Sequence, residues 1–168
     1  MALIDNVNRT LQESLSNALQ TSDSIDIAVG YFYMSGFEAL ADQLKNKKVR
    51  ILVGMEIDPS YVSEIASLSN HQDVNLDRWQ PRTDAHWKIY LVHNKAEFAH
   101  GGDFPGVLFM GSSNMTYSGL VGQGELNSSS KEKSQFEEHL NWFESQWAPE
   151  NSISIVDTSS SEDFVNTL

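Results

Sequence analysis

The sequence predicts an α/β layered protein with a central β-sheet. Segments of alternating apolar and polar residues, typical of strands, alternate along the chain with amphipathic segments, typical of helices. The chain has 168 residues, of which 40% are hydrophobic, so one domain of this size can bury a core. Residues 1–148 form this predicted domain, and residues 149–168 are predicted to be an acidic tail or linker toward a further C-terminal domain.

The predicted strands share either period-two alternation or a short continuous apolar run. Ser24 to Tyr33 alternates most regularly, whereas Val49 to Val53 is a continuous run of the kind found in central strands. The predicted strands are residues 24–33, 49–53, 74–79, 86–92, 107–110 and 125–127.

The predicted helices share apolar residues at spacings of three and four. Ser35 with Glu38 has the spacing of a capping box, Pro59 suits a first helical position, and Pro149 suits the end of the last helix. The predicted helices are residues 3–19, 35–44, 59–68 and 130–147. Loops are predicted at 81–84 and 94–106, and residues 114–124 are predicted to be irregular with one helical turn.

Five kinds of polar side chain gather at the predicted ends of two strands. His86 and Lys88 are two residues apart, so they project to the same side of their strand. The next strand ends in Gly-Ser-Ser-Asn at residues 111–114, and Glu125 follows. An imidazole, an ammonium, an amide, a hydroxyl and a carboxylate at strand ends suit chemistry on a phosphodiester.

The overall charge is unfavourable for a nucleic-acid enzyme, because affinity for phosphate comes largely from lysine and arginine. The formal net charge is −12 at pH 7. Residues 77–95 are nevertheless net positive, with four cations against two carboxylates, and they contain His86. Arg78 and Arg82 in this window are candidate substrate contacts, and solvated loop charges are the alternative explanation for them.

The composition also disfavours several classes of protein. Cysteine is absent, which excludes disulfides and thiolate metal sites. The first six residues lack a basic segment followed by an apolar one, so we expect no signal peptide. Because no apolar run approaches the length of about 20 residues that a membrane helix needs, we expect a cytoplasmic protein without membrane contact.

In these motifs the sequence resembles the phospholipase D superfamily, whose mark is His-x-Lys, then Gly-Ser/Gly-x-Asn, then an acidic residue. His86 and Lys88, residues 111–114 and Glu125 match this pattern in order. Residues 26–37 and 49–54 are similar to the phospholipase-D-like domain at the N-terminus of SNF2-type helicases, and similar domains occur in metal-independent restriction endonucleases. The resemblance implies a phospholipase D-like nuclease domain, with a mixed central sheet flanked by helices on both faces.

The resemblance further implies a homodimer with one site on its two-fold axis, since the superfamily's site contains two motifs and this chain has one. It implies a covalent phosphohistidine: one His86 attacks phosphorus, and the partner's His86 protonates the leaving oxygen. Lys88 and Asn114 would bind the non-bridging oxygens, and Ser112 would donate one more hydrogen bond. Glu125 would accept from the second imidazole nitrogen, and no metal or other cofactor is implied.

His93 departs from the family pattern. The full motif has an aspartate five residues after the lysine, and this chain has His93 there, which we predict to be a surface residue. The nuclease-like branch often lacks that aspartate, so the departure favours a nuclease over a lipase. Histidines at 86, 93 and 100 suggest a metal cluster, but their even spacing of seven does not fit a ligand pattern.

Two hypotheses for the function follow, from different classes of protein. The first is a dimeric, metal-independent phosphodiesterase that cleaves DNA as a module of a helicase or restriction system, with a helicase domain in the same parent chain. The second is a non-catalytic module of a helicase-like protein that dimerises or positions DNA. The acidic composition favours the second, and the complete set of expected catalytic residues favours the first. A lipid phosphodiesterase is a weaker third hypothesis, because no amphipathic membrane helix is evident.

Overall fold

The computed structural model of the protein describes residues 1–57, 78–79, 85–122 and 124–154. The strands are β1 Ala2–Ile4, β2 Ser22–Phe32, β3 Lys48–Ile57, β4 Arg78–Trp79, β5 Lys88–Asn94, β6 Gly106–Gly111, β7 Asn127–Ser130 and β8 Ile153–Ser154. The helices are α1 Leu11–Leu19, α2 Met34–Glu38, α3 Ala41–Leu44, α4 Tyr117–Val121 and α5 Lys133–Trp147. Within these ranges no helix is long and apolar enough to cross a membrane.

The described strands form one sheet in the order β1-β7-β6-β5-β2-β3-β4-β8. The pairs β2–β3 and β3–β4 are parallel, and the other pairs are antiparallel. The predicted mixed sheet is therefore confirmed. In β2, alternate side chains enter two different cores, because successive residues of a strand point to opposite faces.

Helices cover both faces of the sheet, as predicted. Ile25, Ile27 and Val29 of β2 belong to the larger core, to which α1, α2, α3 and α4 contribute apolar side chains. Ala28 belongs to the second core, on the opposite face, with Phe136 and Phe143 of α5. The amphipathic pattern that predicted the last helix is thus confirmed, and its apolar stripe is the surface that packs on the sheet.

The prediction of one helix over residues 3–19 is wrong in its first part. Residues 2–4 form β1, and Ile4 is buried because β1 pairs with β7 rather than because it lies on a helix. The helix begins at Leu11, where Thr10 and Glu13 form a capping box. Spacings of three and four from Ile4 onward fit a helical stripe only by coincidence, since Val7 is 66% exposed.

Three other predicted boundaries are corrected. Ser35 is not an N-cap: Tyr33 precedes α2, and the Ser35 hydroxyl accepts from the Tyr117 amide at 3.4 Å. The predicted helix 35–44 is divided into α2 and α3 at Leu40, whose ψ of 2° is not helical. Ser130 ends β7 rather than starting α5. Its hydroxyl accepts from the Glu132 amide at 3.2 Å, which turns the chain into the helix.

The remaining predictions fall partly outside the described residues. The predicted strands at 24–33, 49–53, 86–92 and 107–110 are confirmed as β2, β3, β5 and β6, with shifted ends, and the strand expected at 125–127 begins at residue 127. Residues 94–106 contain two 3₁₀ turns, and β8 pairs with β4 from within the predicted C-terminal linker. The predicted helix at 59–68, the loop at 81–84 and residues 74–77 lie outside the described ranges.

A buried charged cluster joins α5 to the sheet. Asp26 of β2 is only 3% exposed, and it accepts two hydrogen bonds from Arg50 of β3, at 2.6 and 2.8 Å. His93 of β5 bonds the same carboxylate at 2.7 Å, so it is not the surface residue that the sequence predicted. Arg50 also donates to Glu144 of α5 at 2.6 Å, and its guanidinium lies over the Phe143 ring. The cluster therefore fixes the helix against three strands.

We expect Arg50→Ala to lower the free energy of unfolding by about 2–4 kcal/mol, because it leaves the buried Asp26 carboxylate without its bidentate partner. Urea unfolding measures this loss. Lys133→Ala is the matched control: it removes a cation from an exposed pair with Glu137 on the same helix and should cost less than about 0.5 kcal/mol. Equal losses in the two variants would contradict the role given to the cluster.

The stability should also depend on pH through Asp26. Burial opposes ionisation of this carboxyl, but hydrogen bonds from His93 and Arg50 outweigh it and hold the pKa below its usual 3.8. A carboxyl with a lowered folded-state pKa stabilises the fold above its unfolded pKa, and this stabilisation is lost as the pH falls through the folded value.

We therefore expect the free energy of unfolding to fall as the pH drops below about 3.8, and to fall less steeply in Asp26→Asn. Urea unfolding between about pH 6 and pH 2 gives both slopes. Parallel curves for the two proteins would show that Asp26 does not titrate as described.

Candidate active site

The segment that carries His86 packs closely against two glycines of the sheet, Gly30 and Gly54. A Cβ on Gly30 of β2 would lie 2.9 Å from the Ala85 carbonyl oxygen, and a Cβ on Gly54 of β3 would overlap the Ala85 methyl group. The Gly30 amide donates to the Trp87 carbonyl at 3.0 Å. Ala85 is buried and His86 is exposed, so the glycines let the segment lie close to the sheet and present the imidazole to solvent.

Asn114 is held at the same place by an irregularity in β2. The register of β2 against β3 shifts between Val29 and Tyr31, as in a β-bulge. The Tyr31 amide there donates to the Asn114 side-chain oxygen at 3.0 Å. This bond fixes the amide plane, and among the described residues the Asn114 amide nitrogen has no acceptor of its own. A Cβ on Gly30 would lie 3.5 Å from the Asn114 oxygen and 3.7 Å from the His86 Cα, so the two residues meet above this glycine.

Lys88 begins β5, directly after the His86 segment. Its backbone pairs with Val29, and its half-buried side chain donates to the His86 carbonyl oxygen at 2.9 Å. The ammonium is therefore held beside the histidine that it follows. Within the described residues it has no carboxylate partner, so its charge remains available to an anion.

Ser112 and Glu125 form a second pair of site residues. The Ser112 hydroxyl donates to the Glu125 carboxylate and accepts from the Leu126 amide at 2.8 Å. The Ser112 amide donates to the Leu126 carbonyl at 3.1 Å, which ties the end of β6 to the start of β7. The expected bond from Glu125 to His86 is not formed within the chain, and the Glu125 carboxylate accepts from Ser112.

Three buried groups hold the turn that leads to Asn114. The Tyr90 hydroxyl of β5 donates to the Ser113 carbonyl at 2.9 Å. Asn127 of β7 donates to the Ser113 hydroxyl at 2.7 Å and accepts from its amide at 3.3 Å. Burial, and then the nearby charge of Glu125, raise the pKa of Tyr90, so its phenol stays protonated and remains a donor.

The other predicted site residues lie elsewhere or outside the described residues. Arg78 belongs to β4, which is separated from β5 by two strands, and Arg82 lies outside the described ranges. His93 bonds Asp26, and His100 lies near the Phe104 ring with 6.4 Å between ring centres, so the three histidines do not converge. No group of three histidine or acidic side chains that could hold a metal occurs among the described residues.

An apolar groove lies beside these groups. It has a volume of about 440 Å³ and is lined mainly by apolar side chains: Leu3, Trp87, Ile89, Met110 and Leu126. Leu3 and Met110 both face Ser128, and Met110 faces Ile89, so the groove follows one row across β1, β7, β6 and β5. Leu3, Met110 and Leu126 are 68%, 37% and 56% exposed, which is unusual for a row that continues into the core beneath α5.

The sequence did not predict the supporting residues of this site. Gly30 and Gly54 each interrupt an apolar strand, and an isolated glycine in a strand is a signal for close backbone approach. Tyr90 gave no such signal, because a tyrosine in an alternating strand is ordinary core. The partner of Ser112 could not be predicted either, since it depends on how β6 pairs with β7.

The chain was compared with protein-family models and with known proteins. The family model described as cardiolipin synthase, PLD-like domain, matches residues 14–147. No curated protein matches the sequence. Two solved structures are similar over nearly their whole length: NucT from Helicobacter pylori, with a TM-score of 0.64, 13% identity and coverage of 91% of this chain and 97% of that one, and Nuc from Salmonella typhimurium, a phospholipase D family member, with 0.61, 13%, 91% and 95%.

A third similar structure is TrmBL2, an archaeal chromatin protein. It has a TM-score of 0.53 and 14% identity, and the match covers 87% of this chain and 51% of that one. At these identities the structural matches show the fold, and the family model, which matches most of the chain, shows the family. The protein therefore belongs to the phospholipase D superfamily, with one copy of the motif in its sequence.

Proposed function

We propose that the protein is a metal-independent phosphodiesterase that cleaves DNA through a covalent phosphohistidine, at a site shared by two subunits. One observation supports this most: the His86 Cα and the Asn114 side-chain oxygen both lie close to Gly30, and the Lys88 ammonium bonds the His86 carbonyl, so an exposed histidine, an amide and a cation are neighbours. An exposed histidine can approach phosphorus, and fixed donors beside it can bind the phosphoryl oxygens.

In the first step, the His86 imidazole of one subunit attacks phosphorus and the P–O bond to the leaving strand breaks. The partner's His86, in its protonated form, donates a proton to the leaving oxygen. The reaction needs one ring neutral, as the nucleophile, and its partner protonated, as the acid. In the second step, water displaces the histidine from phosphorus and gives its proton to the partner's His86, which restores the starting state.

Lys88 and Asn114 are proposed to bind the non-bridging oxygens in both steps. Charge builds on these oxygens in the transition state, and donors that are already oriented stabilise it without reorganisation. The bond from the Tyr31 amide to the Asn114 oxygen supports this role, because it fixes the orientation of the side-chain amide, whose nitrogen is then available to donate to a phosphate. Ser112 is proposed to donate to the phosphate when substrate binds. Its hydroxyl then no longer donates to Glu125, and the Glu125 carboxylate is proposed to accept from the His86 imidazole instead.

The second subunit is proposed to cover the apolar groove. A single chain supplies one His86 and one Lys88, so the two-histidine reaction needs a second copy. The groove is lined by Lys88 and Gly111 as well as by its apolar residues, so a subunit seated there would lie next to the site. Burial of Leu3, Met110 and Leu126 would remove their apolar surface from water, at about 25 cal/mol for each Å².

The DNA substrate and the setting in a helicase or restriction system rest on the sequence resemblance. The cytoplasmic location is proposed from the hydropathy pattern of the sequence. Arg78 and Arg82 are proposed to contact phosphates of the bound strand. A non-catalytic role in positioning DNA is the second candidate function. The similarity to TrmBL2 favours it, because TrmBL2 is described as a chromatin protein with a novel mode of DNA binding.

We expect His86→Ala to lower the rate of cleavage of a DNA substrate by at least about a thousandfold, because the nucleophile and the acid are lost together. The rate of the unchanged protein should be the same with EDTA as without it. His100→Ala is the matched control, since this histidine lies in the turn at the opposite end of β5 and should not affect the rate.

Two results would contradict the proposal. Cleavage that disappears with EDTA and returns with magnesium would show a metal-dependent reaction. A protein that binds DNA but does not cleave it under any of these conditions would support the non-catalytic role instead.

We expect Leu126→Glu to weaken dimerisation by about a hundredfold, because it places a charge in a surface that must be desolvated. Sedimentation equilibrium measures the dissociation constant, and the loss of dimer should be matched by a loss of cleavage. Val7→Glu provides the control, as Val7 is equally apolar and 66% exposed but does not line the groove. A monomeric unchanged protein with full activity would overturn the shared site.

A further inference from the structure

A second, smaller cavity lies on the α1 face of the sheet, away from His86. Its volume is about 190 Å³, and it is formed by α1 and the residues after it, the segment at Phe104, and strands β5, β6 and β7. We call it the distal cavity. Its polar lining consists of Arg9, Ser14, Asn17, Thr21, Asn94, Ser129 and Lys131.

The distal cavity is at the opposite end of β5 from the candidate active site. Lys88 begins this strand beside His86, and Asn94 ends it at the cavity. Six steps along a strand span about 20 Å. A ligand of the size of this cavity cannot reach both places, so the cavity is not a subsite of the phosphodiesterase.

The charged side chains that line the distal cavity are positive, whereas the net charge of the chain is negative. Carboxylates outnumber lysine and arginine by 23 to 11, yet two cations and no carboxylate line the cavity. Glu13 lines the neighbouring groove beside Arg9, but its carboxylate accepts from the Thr10 amide in the capping box of α1. Glu132 lines another groove, which shares Ser129 and Lys131 with the distal cavity.

Several donors around the distal cavity lack protein acceptors. Neither Arg9 nor Lys131 forms an ion pair with any described residue, and Lys131 lies over the Phe104 ring at 5.4 Å. The side chains of Asn17 and Ser129 also have no hydrogen-bond partner in the part of the chain that the structure describes. Two cations, an amide and a hydroxyl therefore border one small space. The carboxylate that interacts with the charge of Arg9 is that of Glu13, which lines the neighbouring groove and not this cavity.

The acceptors at the C-terminal end of α1 are already used. The Asn17 carbonyl accepts from the Gln20 amide, and the Ala18 carbonyl accepts from the Thr21 amide and hydroxyl. A helix C-terminus is otherwise a place of partial negative charge that repels anions. Because these carbonyls already accept hydrogen bonds within the chain, they repel an anion less than free carbonyls would. The positive charges of Arg9 and Lys131 are therefore less offset in the cavity.

Two further lysines bond Thr21, which lines the distal cavity, and Ser22, which follows it. The Lys47 side chain donates to the Ser22 carbonyl at 2.8 Å, and the Lys95 amide donates to the Thr21 carbonyl at 2.9 Å. Burial lowers the pKa of Lys47, and the nearby charge of Lys95 lowers it further, although Asp23 acts in the opposite direction. Cations therefore approach one another closely at this end of the sheet.

We propose that the distal cavity binds a phosphate group, either inorganic phosphate or the terminal monoester of a larger molecule. Its volume of about 190 Å³ is sufficient for a phosphate group. A tetrahedral oxyanion accepts from several directions at once, which fits donors on α1, on β7 and on the two cations. The proposal does not depend on the phosphodiesterase activity.

The test is an NMR titration of the full chain, labelled with ¹⁵N, with inorganic phosphate at constant ionic strength. Saturable shifts are expected at the amides of Thr21 and Ser129, separate from any shifts at His86 and Lys88. The variant Arg9→Gln/Lys131→Gln should weaken binding at the distal cavity by at least about tenfold, since it removes two charge-assisted hydrogen bonds. Shifts at the two places can be followed independently, so failure here would not affect the proposed phosphodiesterase.

The matched control is Lys45→Gln/Lys133→Gln, which changes the net charge equally at two positions that line neither the groove nor the distal cavity. It should leave the dissociation constant within about twofold of the unchanged protein. Absence of saturable shifts at Thr21 and Ser129, or an equal effect of the two double variants, would overturn the proposal.

The source of the phosphate group is decided by two further ligands, a dinucleotide with a 5′-phosphate and the same dinucleotide with a 5′-hydroxyl. Binding of the first at least about tenfold tighter than inorganic phosphate would identify the end of a nucleic-acid strand as the ligand. Equal binding would identify free phosphate. Equally tight binding of the 5′-hydroxyl compound would overturn the assignment to a phosphate monoester.

Discussion

The close contact of residues 85–87 with the sheet is the constraint on which the candidate site depends. Gly30 and Gly54 occupy neighbouring central strands, and a methyl group on either would collide with Ala85. The same stretch of β2 is irregular, which turns the Tyr31 amide toward Asn114. Both halves of the motif, far apart in the sequence, are therefore positioned by one strand that contributes no catalytic side chain.

Helix α5 reinforces this arrangement from the other face. Its Trp142 packs edge-on against Trp87, the residue between His86 and Lys88, with 5.5 Å between ring centres. Toward the other end of the strands, Arg50 bonds both Asp26 and Glu144. The family motif places an aspartate at the position of His93. In this chain the carboxylate is that of Asp26 on β2, and it bonds the imidazole of His93 on β5. This acid helps to attach α5 to the sheet through Arg50.

The charges of the molecule are organised locally rather than globally. Carboxylates outnumber cations two to one, so the protein as a whole repels nucleic acid. Charge beyond about 8–10 Å is largely screened by salt, so attraction of a phosphate is decided by the nearest groups. Lys88 at the site, and Arg9 with Lys131 at the distal cavity, form no ion pair with a described residue, and each lines a groove or cavity that contains no carboxylate. An acidic protein can therefore still hold an anion at these two places.

The sequence by itself determined the class of fold and the family, because period-two strands, amphipathic helices and the order of His86, Lys88, Asn114 and Glu125 are local patterns. It also indicated these four residues as the candidates for the site. It mistook residues 3 and 4 for helix, because the burial of Ile4 comes from pairing with β7, more than a hundred residues away. Only the tertiary structure decided that Ser112 holds Glu125, that His93 holds Asp26, and that an apolar row lies exposed beside the site. Each of these depends on the strand register and on which faces of the sheet the helices cover. No single segment of the chain determines the register or the covered faces.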